Sequence, residues 1–147
     1  MRKRDLAQQV WERLFGFFVH TRPQRDLVLS ELGLTPNDAK ALYSLDPVTG
    51  RSMRELATAW KCDASTATWA VDRLERLQLA ERRPHPKDRR VRLVVLTEKG
   101  RSVKTDLLES MYQAPPELLE LTVEQLKDLH DLLGTLPTGL DEFPRAI

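Results

Sequence analysis

Several things are scarce in this 147-residue chain. It has one cysteine, Cys62, which excludes an intramolecular disulfide and any multi-cysteine zinc site. Its three histidines, His20, His85 and His130, are scattered through different segments, and with Cys62 they show no metal-ligand spacing. No glycine-rich phosphate loop, nucleophile motif or cleft-placed carboxylate pair occurs, so neither an enzyme nor a cofactor is expected. No apolar run approaches a membrane span; the longest, Leu14 to Val19, is about a third of one. The basic start, Met1-Arg2-Lys3-Arg4, is followed by no apolar stretch of signal-peptide length, and a cytoplasmic chain without membrane contact is expected. Cys62 itself reads as a small packing residue before a redox sensor.

An excess of charge of one sign is missing too, since 23 Lys and Arg meet 22 Asp and Glu. The balance hides a segregation. Residues 51–104 carry fourteen basic against seven acidic side chains, residues 105–147 two against nine, and residues 1–50 seven against six. A basic middle beside an acidic tail is the electrostatic footprint of a chain that faces a polyanion, or of a solvated basic face with no partner. The composition, 41% hydrophobic and 31% charged, is that of one globular domain, or a small domain with helical extensions.

Helical patterns dominate. From Asp5 to His20 the apolar residues spread wider than one amphipathic face, so more than one surface should be covered. Pro23 interrupts that pattern, Leu27 to Leu32 reads as a short helix and Gly33 as its close. Thr35-Pro36-Asn37-Asp38 is a helix start, and the helix it opens should stop before Pro47. Thr49-Gly50-Arg51 reads as a turn or short strand. Ser52-Met53-Arg54-Glu55 has capping-box spacing, followed by Met53, Leu56, Ala57 and Trp60 at helical period. The connection Lys61-Cys62-Asp63 leads to another helix with Asp63 as N-cap, Ala67, Ala70, Val71, Leu74 and Leu77 inside, and Ser65, Trp69, Asp72 and Arg76 outside. Two helices joined so tightly are a helix-turn-helix.

Past Leu79 the period changes. Arg82 to Arg89 reads as a proline-bounded polar loop, and beyond it Val91, Leu93 and Val95 alternate with Arg90, Arg92 and Val94 as in a strand. Two short strands around a basic tip make a hairpin wing. Thr97 caps a helix from Glu98 towards Gln113, and the T-x-x-Q box Thr122 to Gln125 opens a last one bearing Leu126, Leu129, Leu132, Leu133 and Leu136. Both terminal helices are too apolar to stand alone, which predicts a homodimer.

Leu34-Thr35-Pro36, Met53-Arg54-Glu55-Leu56-Ala57, Ser65-Thr66-Ala67-Thr68 and Val71-Asp72-Arg73-Leu74-Glu75 stand in this order. After them come Glu81-Arg82-Arg83-Pro84, Asp88-Arg89-Arg90 and Leu96-Thr97-Glu98-Lys99-Gly100. The series resembles the multiple-antibiotic-resistance regulator (MarR) family over residues 34–101, and the terminal helices resemble it by arrangement. The resemblance implies a mainly α fold with a small β-hairpin wing, a winged helix-turn-helix with N- and C-terminal dimerisation helices. It implies one domain over 1–147, with a DNA-binding lobe at 35–100 and dimerisation helices at 1–22 and 101–147. The expected function is a homodimeric regulator of transcription, a repressor on a pseudo-palindromic duplex operator. The rival reading keeps the scaffold as a protein-interaction module for an acidic protein partner, with no specific DNA site.

On the resemblance, the helix after Asp63 enters the major groove and the wing an adjacent minor groove. The candidate DNA-binding residues are Ser65, Thr66, Thr68, Trp69, Arg73 and Arg76 on the helix, and Lys87, Asp88, Arg89 and Arg90 on the wing. Arg90 is the first choice for insertion, Arg89 the second, because a charged planar guanidinium suits a narrow groove. Asp88 reads as a brace for those long side chains. Arg73 and Arg76 suit phosphate contacts. Trp69 stands where an arginine or another polar reader is common; its indole either packs on thymine methyls or sugars or folds back on the protein. Lys61 and Gln78 replace frequent turn glycines, which puts the turn geometry in doubt. Many relatives release DNA on binding a small aromatic compound, and Trp11, Phe15, His20 and Tyr43 are candidates for such a pocket or for interface core.

Overall fold

The computed structural model describes residues 2–138. The last nine residues of the expected 101–147 dimerisation segment, and Met1, lie outside the described residues. Helix α1 spans Lys3–His20 and α2 spans Arg22–Glu31, so α2 starts five residues earlier than the break at Pro23 suggests. Pro23 lies in the first turn of α2, where a missing N–H costs nothing. The corner between the two helices is held locally. Thr21 donates its hydroxyl to the carbonyls of Phe17 and Phe18, and Arg25 donates to Thr21 Oγ1 at 2.7 Å while lying over the Phe18 ring. Gly33, at φ 68°, closes α2 as the sequence predicts.

The caps are where the residue types place them. Helix α3, Pro36–Ser44, starts in a reciprocal capping box between Thr35 and Asp38, and α4, Met53–Trp60, in one between Ser52 and Glu55. Asp63 accepts the Thr66 amide at 2.7 Å and opens α5, Ala64–Arg76. Thr97 caps α6, Glu98–Met111, which ends short of Gln113. A four-residue helix α7, Pro116–Leu119, absent from the sequence reading, follows it. The Thr122–Gln125 box then opens α8, Val123–Gly134, which is twelve residues and leaves Leu136 beyond its end.

Three strands, β1 Arg51–Ser52, β2 Ala80–Pro84 and β3 Arg92–Leu96, form an antiparallel sheet in the order β1-β3-β2. Arg82, Arg83 and Pro84 therefore belong to a strand and not to the polar loop, because the ladder runs on to the pair Pro84↔Arg92. The phase of β3 is also the reverse of the one its alternation suggests. Val94 and Leu96 face the core, while Leu93 and Val95 pack on the other side, close against Gly50. Because strand residues alternate between faces, the anchoring of Leu96 beside Ala80 sets every other side chain of the strand.

The core joins α2, α3, α4, α5, the sheet and α6 through residues such as Leu42, Leu56, Leu74, Val94 and Leu107, all fully buried. Each contributes on the order of 2 kcal/mol by leaving water. On α5 the expected inner face is confirmed at Ala67, Val71 and Leu74, whereas Ala70 and Leu77 are only half-buried. Helices α1 and α8 contribute no buried residue in the single chain. Leu6, Val10, Trp11, Phe15 and Phe18 of α1 and Val123, Leu132 and Leu133 of α8 are exposed. No helix of the described residues is long and apolar enough to cross a membrane.

Candidate nucleic-acid interface

Helices α4 and α5 meet through a tight turn. Lys61 takes the left-handed conformation, φ 51° and ψ 45°, and Cys62 N–H returns to the Ala57 carbonyl at 3.1 Å. Gln78 takes the same conformation at φ 60° after α5. Both turns thus keep a geometry that favours glycine, at a cost of about 1 kcal/mol each. Cys62 is half-buried and lines an open hollow with Met53, Arg54 and Thr68, rather than packing in the core.

Burying Ala67, Val71 and Leu74 turns the opposite side of α5 outward. Ser65, Thr66, Thr68, Trp69 and Arg76 are all exposed there. Arg73 has another task. Its Nε donates to Asp38 Oδ1 at 2.7 Å, and Asp38 is almost wholly buried, so this pair clamps α5 to α3. Burial pushes the Asp38 carboxyl upward, but hydrogen bonds from Arg73 and Thr35 outweigh it and hold the group below the usual carboxylate range.

Beyond Pro84 the chain turns at residues 85–91, closed by His85 N–H to the Val91 carbonyl at 2.9 Å. His85 Nδ1 accepts the Lys87 amide at 3.0 Å, and Asp88 Oδ1 accepts the Arg90 amide at 3.0 Å. Asp88 therefore braces the backbone of the tip and not an arginine side chain, a correction to the sequence reading. The reason is local, because a short carboxylate reaches an amide two residues on without ordering any long side chain. Lys87, Arg89 and Arg90 are exposed, and among the described residues their side chains make no hydrogen bond or ion pair.

The wing and α5 are tied at their base by Arg82. Its guanidinium spans Glu75 and Asp72, the latter at 2.7 Å, and its amide donates to Glu75 at 3.1 Å. Asp72 lies on the same outward stripe as Trp69 and Arg76, so the outer face of α5 and the root of the wing adjoin.

The MarR family model matches residues 32–91, the segment that holds α3, the helix-turn-helix and most of the wing. Among solved structures, the YusO protein of Bacillus subtilis superposes with a TM-score of 0.76 at 24% identity, covering 91% of this chain and 96% of that one. The fold is the winged helix of the MarR structures, and the winged-helix segment of this chain is what the MarR model matches. The CouR transcriptional repressor, solved on a 23-mer DNA duplex, is 25% identical with a TM-score of 0.60, covering 92% of this chain and 96% of its own. A MepR variant of S. aureus, solved with an oligodeoxyribonucleotide, gives 0.68 at 22% identity, over 84% of this chain and 93% of its own. No curated protein matches the sequence.

The four residues considered for a MarR-type ligand pocket are dispersed. Trp11 and Phe15 form a tilted ring pair, centroids 6.1 Å apart, on the exposed face of α1. His20 Nε2 lies 2.8 Å from Glu117 Oε1 on α7. Tyr43 packs against the core, and burial pushes its hydroxyl up to about 12. The hollow of about 760 Å³ between the wing and the start of α4 contains none of them. No group of three His, Cys, Asp or Glu able to hold a metal occurs among the described residues.

Two structural residues escaped the sequence reading. Lys104 is buried, its Nζ donating to the carbonyls of Tyr43, at 2.8 Å, and Leu45, which fastens α6 to the end of α3. Burial lowers its affinity for the proton. Its only signal is its place three and four residues before Leu107 and Leu108, on the apolar stripe. Arg82 was visible in the Glu-Arg-Arg-Pro motif, but its partners Asp72 and Glu75 lie in a different element.

Proposed function

We propose that this protein is a MarR-family homodimeric regulator that binds a specific pseudo-palindromic site in duplex DNA and represses transcription there. Residues 35–100 form the DNA-binding lobe, and residues 1–22 and 101–147 hold two copies together. The observation that carries the reading is the wing tip: three cations, Lys87, Arg89 and Arg90, make no side-chain hydrogen bond or ion pair among the described residues, on a turn stiffened by Asp88 and His85. Uncommitted guanidinium groups on a stiffened turn are available to an external polyanion, and the narrow minor groove is a place that attracts them. Ser65, Thr66, Thr68, Trp69 and Arg76 face outward on the adjoining helix, suited to the major groove and its phosphates. Arg73 contributes by holding that helix in place. Two such lobes related by a two-fold axis reach half-sites about one DNA turn apart.

The exposed Trp11 and Phe15 rings of α1 support a dimer contact, and a pocket for a small aromatic effector that releases the DNA would form only where a second copy closes it over His20 and Tyr43. The test is binding to genomic fragments across a salt series. The expected result is selection of one short palindrome with a steep loss of affinity as salt rises. Arg90→Ala should weaken that binding about tenfold per wing and lower the salt slope by about one per wing. Unchanged affinity, or a stable complex with an acidic protein and no retained DNA, overturns the reading.

A further inference from the structure

Trp69 is the one large apolar side chain on the outward stripe of α5, and it is 53% exposed in the single chain. It lies two residues from both Ala67 and Val71, which are fully buried, and so points about 160–200° away from the core. Trp69 therefore does not enter the core. Its indole N–H makes no hydrogen bond, and its ring stacks on no other ring or cation, among the described residues. On the same stripe Ser65 lies one turn before it and Arg76 two turns after it. The acidic neighbour on the stripe, Asp72, is paired with Arg82, which it shares with Glu75. The ring thus stands between a hydroxyl and a cation that makes no hydrogen bond or ion pair among the described residues, beside a carboxylate held by Arg82.

Resting on the DNA-binding reading above, we infer that Trp69 makes this protein read a base-borne methyl group in the major groove. The chemistry leaves little choice. An indole has one donor and no acceptor, so it cannot make the paired hydrogen bonds by which arginine selects guanine or asparagine selects adenine. The apolar group that a normal base pair offers on the major-groove floor is the C5-methyl of thymine. 5-Methylcytosine carries the same group at the same place. The ligand class is therefore a 5-methylpyrimidine, one in each half-site, lying under the middle of α5.

The experiment begins with selection of a site from random duplexes by the full-length chain. Each thymine of that site is then replaced by deoxyuridine, which removes the methyl and nothing else. The expected result is one symmetric pair of positions where the change weakens binding about fourfold per half-site, about 16-fold for the palindrome. All other positions should be silent. Trp69→Ala should bind the thymine and uracil forms alike, and Trp69→Arg should shift selection at that position to guanine. At the same position, 5-methylcytosine should bind the wild-type chain more tightly than cytosine does. If deoxyuridine is harmless everywhere, or Trp69→Ala still distinguishes the two forms, the inference falls while the DNA-binding reading stands. If the wild-type chain selects no sequence at all, the DNA-binding reading falls and takes this inference with it.

Discussion

At the scale of single residues, Gly100 carries more of the fold than its size suggests. A Cβ built there would lie 1.8 Å from the Leu79 carbonyl oxygen, so the first turn of α6 touches the backbone that leaves α5. The same carbonyl accepts the Thr97 amide at 3.1 Å, and neither partner can retreat without breaking the cap. Gly100→Ala should destabilise the protein by about 3 kcal/mol, read by urea unfolding; a loss under about 1 kcal/mol would show that the contact is soft. Asp38 acts through charge. Because its folded-state carboxyl binds the proton less tightly than that of the unfolded chain, its contribution is complete above the ordinary carboxylate range. It is lost as pH falls through the folded value. Asp38→Asn should therefore cost about 2 kcal/mol at neutral pH and clearly less near pH 3, and a cost that does not shrink in acid would contradict the ion pair with Arg73. Gly100 was legible as the end of a motif, but its crowding was not, since Leu79 approaches it only after the sheet has formed. The left-handed Lys61 and Gln78 show the converse, because the chain holds its turns without the residue that favours them.

At the scale of elements, the caps and the helix-turn-helix could be read directly, since each depends on residues three or four apart. Strand phase could not. The alternation of β3 favours the face of Val91, Leu93 and Val95, and only the pairing of Leu96 with Ala80 selects the opposite one for burial. The attachment of the wing to α5 is likewise a matter of two elements meeting. Arg82→Ala would leave Asp72 and Glu75 as unpaired carboxylates beside the outward stripe of α5. The expected outcome is a weakening of about 1 kcal/mol in stability and a fall of about tenfold in affinity for duplex DNA. Adding Asp72→Asn should recover part of the affinity by removing one of the freed charges. Full additivity in that double-mutant cycle would show that Arg82 and Asp72 act independently.

For the whole molecule, α1 and α8 hold most of the large apolar side chains that the single chain leaves exposed among the described residues. In the proposed homodimer a second copy would cover them and join two basic lobes on one frame. Trp11→Glu combined with Phe15→Glu should give a monomer by light scattering at micromolar concentration, with the fold of residues 35–100 retained by circular dichroism. Its DNA affinity should fall about a hundredfold or more, because the second lobe is no longer delivered at high effective concentration. A double variant that stays dimeric would place the interface elsewhere.

Much of this protein was settled by interactions that span a few positions along the chain. Helix starts, the tight turn of the helix-turn-helix and the basic character of the wing follow from caps and periods, which operate over one turn of backbone. The segregation of charge is likewise a property of order alone. What distant residues do to one another had to wait for packing. Arg73 turned inward to Asp38, Lys104 was buried against the end of α3, Arg82 found two carboxylates, and Asp88 served the backbone instead of an arginine. Long cationic side chains reach about as far as neighbouring elements lie apart, so their partners are chosen by the meeting of elements and cannot be read from spacing.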